Sequence, residues 1–240
     1  MHDHAITHLR RDPVLARVMA DVGPCRFAAR SEGSHFDHIL RAIVYQQLSG
    51  RAAATIHGRV VALFDGMPTA QGLLRATDDQ LRTAGLSRQK IGYLRDLAQR
   101  VETGDLPVDR LHELADDDVI AALTRVKGIG RWTAHMFLMF RLGRPDVLPD
   151  LDLGIRKAIQ LAYRLRRMPN SDRVLTIGAA WAPYRTIASW YLWRSLEQPS
   201  ARATPKTRRA RTGASASAKK KQPAPPRRAK SARTSARGRR

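Results

Sequence analysis

Apolar residues through most of this chain recur with the spacing of an α-helix, and this pattern limits the fold more than any other feature. Ile39 and Ile43 are four residues apart, and so are Ile56 and Val60. Residues at this spacing lie on one face of a helix. No segment alternates apolar and polar residues as a half-buried strand does. The periodicity therefore predicts helices and no sheet.

Residues typical of helix starts and stops divide this pattern into short pieces. Ser and Thr favour the N-cap, because their oxygens accept from free backbone N–H groups. Such residues precede apolar runs at Ser34, Thr77, Ser87 and Ser171. Glycine and proline interrupt the runs at Gly66, Pro68, Gly85, Gly104, Pro107, Gly143, Pro145, Pro149 and Pro169. About ten short helices in an all-α, orthogonal multi-helix bundle are predicted.

Positive charge is concentrated at the C-terminus. The net charge is +22, and Ala201–Arg240 holds 15 of the 43 Lys and Arg residues but no Asp or Glu. A charge of this size favours a polyanionic partner, with nucleic acid ahead of an anionic membrane surface. Alanine is the only apolar residue type in this segment, which therefore cannot offset the entropy cost of folding. A disordered basic tail is predicted, either attracting DNA phosphates or serving as a solubilising or targeting tail.

Three segments follow from these patterns. Residues 1–34 are expected to add one helix packed on the bundle, residues 35–198 to form the main domain, and residues 199–240 to be the tail. Cys25 is the single cysteine, so neither an internal disulfide nor an iron–sulfur cluster is expected. No stretch approaches the ~20 apolar residues of a membrane span, and no signal peptide is recognised. A cytoplasmic, monomeric protein of the bacterial, nucleoid-associated type is expected.

The most specific local motif joins two apolar helices at residues 126–131. Gly128 and Gly130 bracket Ile129, which allows a tight turn and a close approach of the backbone to a phosphate. The N–H groups that open the second helix form an anion site. Lys127 and Arg131 add positive charge beside it. An ordinary corner between helices without a ligand is the alternative.

The chain resembles the helix-hairpin-helix (HhH-GPD) DNA glycosylase superfamily, specifically its alkylated-purine, or 3-methyladenine, DNA glycosylase II branch. The similar segments are IVYQQLSGRAA at 43–53, GLSRQKIGYLRDLA at 85–98, VKGIGRWTA at 126–134, LPDLDLGIRKA at 148–158 and WAPYRTIASWYLWR at 181–194. The resemblance implies an enzyme of base excision repair that flips an alkylated base out of double-stranded DNA and hydrolyses its glycosidic bond. A non-catalytic, nucleoid-associated DNA-binding protein is the alternative.

The resemblance assigns the catalytic carboxylate to Asp152. Cleavage of the bond creates positive charge on the sugar, and a fixed carboxylate stabilises that charge and can position water. The alternative for Asp152 is a plain helix cap. Asp150 is the rival carboxylate, which the motif alignment disfavours.

Trp132 stands where bifunctional relatives carry a lysine. Without that amine, no Schiff base forms with the sugar. The resemblance therefore implies a monofunctional enzyme without AP-lyase activity, which leaves an abasic site in an intact strand.

The same resemblance implies a base pocket formed by Trp132, Met136, Tyr184 and Trp193, with Arg185 as a weaker candidate. An aromatic face stacks on a flipped base and attracts the charge of an alkylated purine. Tryptophans on helices also commonly fill cores. Met136 departs from the aromatic residue more typical there, and this difference affects which lesions the pocket would accept.

The remaining assignments concern DNA contacts and metals. Gln47, in the Gln46–Ser49 turn, is implied as the wedge that fills the space left by the flipped base, although this polar pair could instead satisfy backbone groups. Further expected DNA contacts are Ser87, Arg88, Lys90, Lys127, Gly128, Gly130, Arg131 and Thr133. No cofactor and no side-chain metal site are expected, while carbonyls of residues 124–129 could hold Na⁺ or K⁺. A flexible terminus is favoured over a metal site for His2, Asp3, His4 and His8.

Overall fold

The computed structural model describes residues 2–30, 32–64 and 67–197. These residues form twelve α-helices and two short 3-10 helices, with no β-strand among them. The α-helices are α1 (Asp3–Leu9), α2 (Pro13–Val22), α3 (His35–Tyr45), α4 (Gly50–Val61), α5 (Ala70–Arg75), α6 (Asp78–Thr83), α7 (Arg88–Glu102), α8 (Asp116–Thr124), α9 (Arg131–Phe140), α10 (Leu153–Ala162), α11 (Ser171–Gly178) and α12 (Arg185–Glu197). The 3-10 helices are Val108–Glu113 and Ala179–Trp181. The all-α prediction is confirmed, and the predicted tail lies outside the described residues.

Side-chain caps explain where several helices begin. The Ser34 hydroxyl accepts from the Asp37 N–H at 3.1 Å, and the Ser87 hydroxyl accepts from the Lys90 N–H at 3.3 Å. Thr77 forms a capping box with Gln80. The prediction for Ser171 was one residue late, because Asn170 caps α11 and Ser171 is its first residue.

Two apolar cores stabilise the bundle, because each removes large apolar surface from water. The first core is formed by residues from the helices α3 through α9 and contains Leu40 and Leu138. The second joins α1 and α2 to α10, α11 and α12 and contains Leu15 and Trp181. Trp193 packs against both cores. The boundary between the cores therefore passes beside Trp193.

The segment that leads into α10 crosses this boundary. Val147 belongs to the first core, and the next residue, Leu148, belongs to the second. Asp150 N–H donates to the Leu148 carbonyl, and Asp152 N–H donates to the Pro149 carbonyl, both at 2.9 Å. These bonds form a tight loop that fixes the start of α10 between the two cores.

The N-terminal segment forms two helices, so the prediction of one helix was wrong. Asp12 caps α2 with Pro13 at the first helical position, which separates α2 from α1. The same carboxylate accepts from the Trp181 indole at 3.0 Å and from the Tyr163 hydroxyl. These contacts tie the segment to the second core.

The expectation of a flexible terminus at His2–His8 was also wrong. His8 Nε2 lies 3.2 Å from the Ala180 carbonyl oxygen, and His2 Nε2 lies 2.9 Å from that of Phe27. Among the residues that the structure describes, no group of His, Cys, Asp or Glu is arranged to hold a metal ion. In the same part of the chain, no helix is both long and apolar enough to span a membrane.

Candidate active site

Asp152 caps α10 and also accepts hydrogen bonds from two tryptophans. Its Oδ1 accepts from the Ile155 N–H at 2.8 Å and from the Trp193 indole N–H at 2.9 Å. Its Oδ2 accepts from the Trp132 indole N–H at 2.7 Å. We call these three side chains, Asp152, Trp132 and Trp193, the carboxylate cluster. The carboxylate that caps the helix is also the one bound by the two indoles, so a role as a helix cap does not exclude a role in catalysis.

The carboxylate cluster draws on three separate elements. Trp132 lies in the first turn of α9, Trp193 lies in α12, and Asp152 precedes α10. Trp132 is 47% exposed, whereas the Trp193 ring stacks on Phe140 with centroids 5.9 Å apart. The Trp132 indole therefore lies open to solvent beside the carboxylate, whereas Phe140 packs against the Trp193 indole.

Gly154 leaves the space that this arrangement needs. A Cβ at this position would lie 3.0 Å from both Asp152 Oδ1 and Trp193 Cδ1. Contacts this short would force the indole or the carboxylate to move. A side chain at residue 154 would therefore disturb the hydrogen bond between Trp193 and Asp152, since one of the two must shift by a few tenths of an ångström.

The hydrogen bonds define what the carboxylate can do. An ionised carboxylate has about four lone-pair sites, and three N–H donors occupy three of them here. The charge is held in one orientation, which suits it to stabilise positive charge that develops nearby. One lone-pair site is left for a water molecule.

Asp150 is fully buried behind this loop. Its Oδ2 accepts from the Ser171 hydroxyl, and its Oδ1 lies 3.5 Å from Arg131 Nη2. His135 is buried beside the pair, and burial, together with the Arg131 charge, lowers its pKa. Asp150 thus balances the charge of Arg131 and does not face solvent.

The hairpin between α8 and α9 has the geometry of an anion site. Gly130 is the N-cap of α9 and supplies no side chain. The backbone N–H groups of Gly130, Arg131 and Trp132 have no partner among the residues that the structure describes. They lie at the N-terminus of a ten-residue helix, where unpaired donors and the helix dipole attract anions.

Gly128 is required by both conformation and space. Its φ is +81°, in the left-handed region that glycine tolerates. A Cβ would lie 2.2 Å from Tyr93 Cδ2 and would therefore overlap the edge of the tyrosine ring. Next to it, the Lys127 N–H donates to Asp96 Oδ2 at 2.9 Å. Helix α7 therefore holds the hairpin from behind.

The turn after α3 presents Gln47 and Leu48 to solvent. Gln47 has φ +57°, which is uncommon for a residue with a side chain. Leu48 is 39% exposed. An exposed side chain on a constrained backbone at the end of a helix is the geometry expected of a wedge.

Comparison with known proteins identifies the family. The model of the HhH-GPD superfamily of base excision DNA repair proteins matches residues 40–183. The chain belongs to this superfamily.

Individual HhH-GPD relatives agree in sequence and structure. DNA-3-methyladenine glycosylase 1 of Schizosaccharomyces pombe is 33% identical over 184 residues, which cover 75% of this chain and 80% of the relative. The solved structure of the S. pombe 3-methyladenine DNA glycosylase Mag1 with abasic DNA has a TM-score of 0.73 and 33% identity, covering 82% of this chain and 98% of that one. The DNA-3-methyladenine glycosidase of Bacillus halodurans has a TM-score of 0.70 and 38% identity, with coverages of 79% and 87%. These comparisons confirm the predicted family and favour the glycosylase over a non-catalytic DNA-binding protein.

Not every predicted site residue of this HhH-GPD domain joins the carboxylate cluster. The Tyr184 ring contacts the His8 ring, with centroids 5.5 Å apart. Tyr184 and Pro145 both line a cavity of about 290 Å³. Arg185 forms a two-pronged ion pair with Asp146 at 2.7 and 2.9 Å. Both residues thus have structural contacts away from Asp152.

The predicted residues of α9 and α7 divide in a similar way. Met136 is half-buried against the first core, one turn after Trp132 on the same face of α9. Thr133 is half-buried, while Arg88 is exposed at the start of α7. Lys90 differs from its predicted role, because its ammonium donates inward to the carbonyls of Val44 and Gln46.

Three contributors were absent from the sequence prediction: Tyr93, Asp96 and Gly154. Gly154 was visible in the motif, two residues after Asp152, but its closeness to Trp193 depends on α12. Tyr93 and Asp96 act across helices. Gln46 follows the alternative given for the polar pair, because its amide donates to the Gly128 carbonyl.

The predicted cation also depends on backbone geometry. The Val126 carbonyl accepts from Ile129 and that of Gly128 from Gln46, which leaves other carbonyls of residues 124–129 for Na⁺ or K⁺.

Proposed function

We propose that this protein removes alkylated purines of the 3-methyladenine type from double-stranded DNA by hydrolysis and leaves the strand intact. The carboxylate cluster carries the proposal. The relatives described above are named 3-methyladenine DNA glycosylases, and one of them was solved with abasic DNA, the product of such a reaction.

The substrate class follows from the chemistry of the carboxylate cluster. An N3- or N7-alkylated purine carries positive charge, so the exposed Trp132 face attracts it. Cleavage of the bond between C1′ and the base nitrogen leaves the departing base neutral and moves positive charge to the sugar. Asp152 stabilises this charge. Water then bonds to C1′ and releases its proton to solvent.

The lysines of the described residues support hydrolysis without strand cleavage. They number three, Lys90, Lys127 and Lys157. The Lys90 ammonium donates to α3, that of Lys127 lies 3.8 Å from Asp96, and that of Lys157 donates to Gln160 at 3.2 Å. None of these partners is Asp152, and the resemblance places Trp132 where bifunctional relatives carry a lysine. Among the described residues, these contacts support a reaction in which no lysine forms a Schiff base with the sugar.

The test is base release from alkylated duplex DNA under single-turnover conditions, with the wild type compared with Asp152→Asn. We expect the wild type to leave alkali-labile abasic sites and the variant to lose about a hundredfold or more in rate, since it removes the stabilising charge. Borohydride should trap no covalent adduct with either protein. The absence of base release by the wild type would refute the proposal, and a trapped adduct would refute its monofunctional part.

A further inference from the structure

We call the Gln46–Ser49 turn, which carries the predicted wedge Gln47, the wedge turn. One of its side chains is hydrogen-bonded directly to the hairpin at residues 126–131. Gln46 Nε2 donates to the Gly128 carbonyl at 2.8 Å, a contact between residues 82 positions apart. Gln46 immediately precedes Gln47, the predicted wedge. The left-handed backbone at Gly128 directs its carbonyl to this turn. The segment predicted to enter the duplex and the segment predicted to bind its backbone are therefore joined by one hydrogen bond.

Lys90 holds the main chain of the same turn. Its ammonium donates to the Val44 carbonyl at 2.7 Å and to the Gln46 carbonyl at 2.8 Å. The last carbonyls of a helix have no partner within the helix, and a cation near them is favourable. Burial lowers the pKa of Lys90, which agrees with an ammonium directed inward. Lys90 thus fixes the end of α3, from which the wedge turn projects.

Helix α7, which carries Lys90, also contacts the hairpin through two residues further along its length. Tyr93 lies against Gly128, and Asp96 accepts from the Lys127 N–H. Lys90, Tyr93 and Asp96 are spaced three residues apart and so lie along one side of α7. Helix α7 is therefore a single rigid support for the wedge turn and the hairpin.

We propose that Gln46 is a positioning residue that couples backbone capture by the hairpin to insertion of the wedge. The inference rests on the proposed function. Gln47 is in a conformation that L-residues adopt only when their surroundings hold them there. The Gln46 amide and Lys90 supply that constraint. Without the amide, the hairpin still binds the duplex, but the turn relaxes and the extrahelical base is less populated.

The experiment compares two lesion duplexes under single-turnover conditions, using the full-length protein. In one duplex the alkylated base is paired, and in the other it faces a tetrahydrofuran abasic analogue. Extruding an unpaired base costs less, so the second duplex depends less on the wedge. Gln46→Met removes the amide at similar length. Gln46→Lys puts a hydrogen-bond donor back at this position. Gln99→Met, at an exposed position of α7, is the matched control for Gln46→Met.

We expect Gln46→Met to slow excision from the paired duplex about tenfold, the size of one lost hydrogen bond, and to change the unpaired duplex much less. Affinity for undamaged duplex should stay near that of the wild type. Gln46→Lys should recover most of the paired-duplex rate, and Gln99→Met should match the wild type. Lys90→Met should reproduce the duplex-dependent loss.

Two results would overturn the inference. Equal losses on both duplexes would mean that Gln46 has only a structural role, and an unchanged rate on the paired duplex would mean that the hydrogen bond has no part in flipping. If the wild type releases no base from either duplex, the proposed function itself fails. If the wild type and Gln46→Met are equally active on the paired duplex, the proposed coupling fails while the proposed function stands.

Discussion

Trp132 and Asp152 are joined by a 2.7 Å hydrogen bond between the indole nitrogen and Oδ2, although 19 residues separate them in sequence. The bond orients the carboxylate from the side that faces solvent. It also fixes the indole where a stacked base would lie. One residue therefore contributes both to the proposed base pocket and to the orientation of the proposed catalytic group.

Trp132→Phe should separate these two contributions. The phenyl ring retains an aromatic face but loses the N–H, and hydrogen bonds to charged groups contribute about 1.5–3 kcal/mol. We therefore expect a fall of about ten- to a hundredfold in the single-turnover excision rate, with DNA affinity nearly unchanged. Trp190→Phe is the control, since that ring contacts Tyr191 and not Asp152. A rate equal to that of the wild type would show that the indole N–H is dispensable.

Gly154→Ala should damage activity more than stability. Its Cβ would meet Asp152 Oδ1 and Trp193 Cδ1 at 3.0 Å, whereas a Cβ at Gly92 in α7 would meet nothing within 4 Å. Gly92→Ala should stabilise the fold by about 0.5–1 kcal/mol. Thermal melting and single-turnover excision of both variants check this. A fully active Gly154→Ala variant would contradict the geometry of the carboxylate cluster.

The two hairpin glycines should respond differently to alanine. Gly128→Ala places a Cβ 2.2 Å from Tyr93 Cδ2 at a φ of +81°, whereas a Cβ at Gly130 meets nothing within 4 Å. We expect Gly128→Ala to cost at least about 1–2 kcal/mol through backbone conformation alone, and Gly130→Ala to fold normally. Melting temperatures measure both. Adding Tyr93→Ala to Gly128→Ala should recover only the steric part of the loss.

Asp12 should contribute to acid sensitivity. Burial raises the pKa of this carboxyl, but hydrogen bonds from Tyr163, from Trp181 and from the backbone N–H groups of Leu15 and Val14 together outweigh burial and hold the pKa below its ordinary value. A depressed folded-state pKa means that the stabilisation is present at neutral pH and is lost as the pH falls through that pKa.

Asp12→Asn should therefore be less stable than the wild type at pH 7, by about 1 kcal/mol from altered hydrogen bonds, since solvent screens the partly exposed charge. The two proteins should converge in stability well below about pH 4. Denaturant unfolding across this range measures the difference, with the exposed Asp172→Asn as control. A difference that persists undiminished in acid would exclude the ionised carboxylate as its source.

Deletion of residues 201–240 should change how salt affects DNA binding. The segment carries 15 basic residues, and each phosphate contact contributes about −0.9 to the slope of log affinity against log salt concentration. We expect a shallower slope, with most single-turnover excision retained. Fluorescence anisotropy over a salt series measures the slope. Loss of excision on deletion would contradict the assignment of the active site to the preceding residues.

Much of the site was accessible from local sequence. The interrupted helical periodicity predicted the all-α fold, and Ser34, Thr77 and Ser87 marked helix starts because a cap needs only the next three residues. Five similar segments, in order between residues 43 and 194, carried the resemblance to the family. These features depend on neighbours along the chain, so their physical causes lie within short segments.

The remaining contacts depend on how the helices pack. Lys90 resembles a surface lysine in sequence, but α7 lies against the end of α3 and the ammonium is directed inward. Tyr184 lies near Trp193 in sequence, yet it contacts His8. The residues of the chain by themselves determined the helices and the hairpin, and the resemblance they carry singled out Asp152 as the candidate carboxylate. Only the tertiary structure decided what surrounds that carboxylate, because the indole donors come from helices whose relative positions are set by two separate cores.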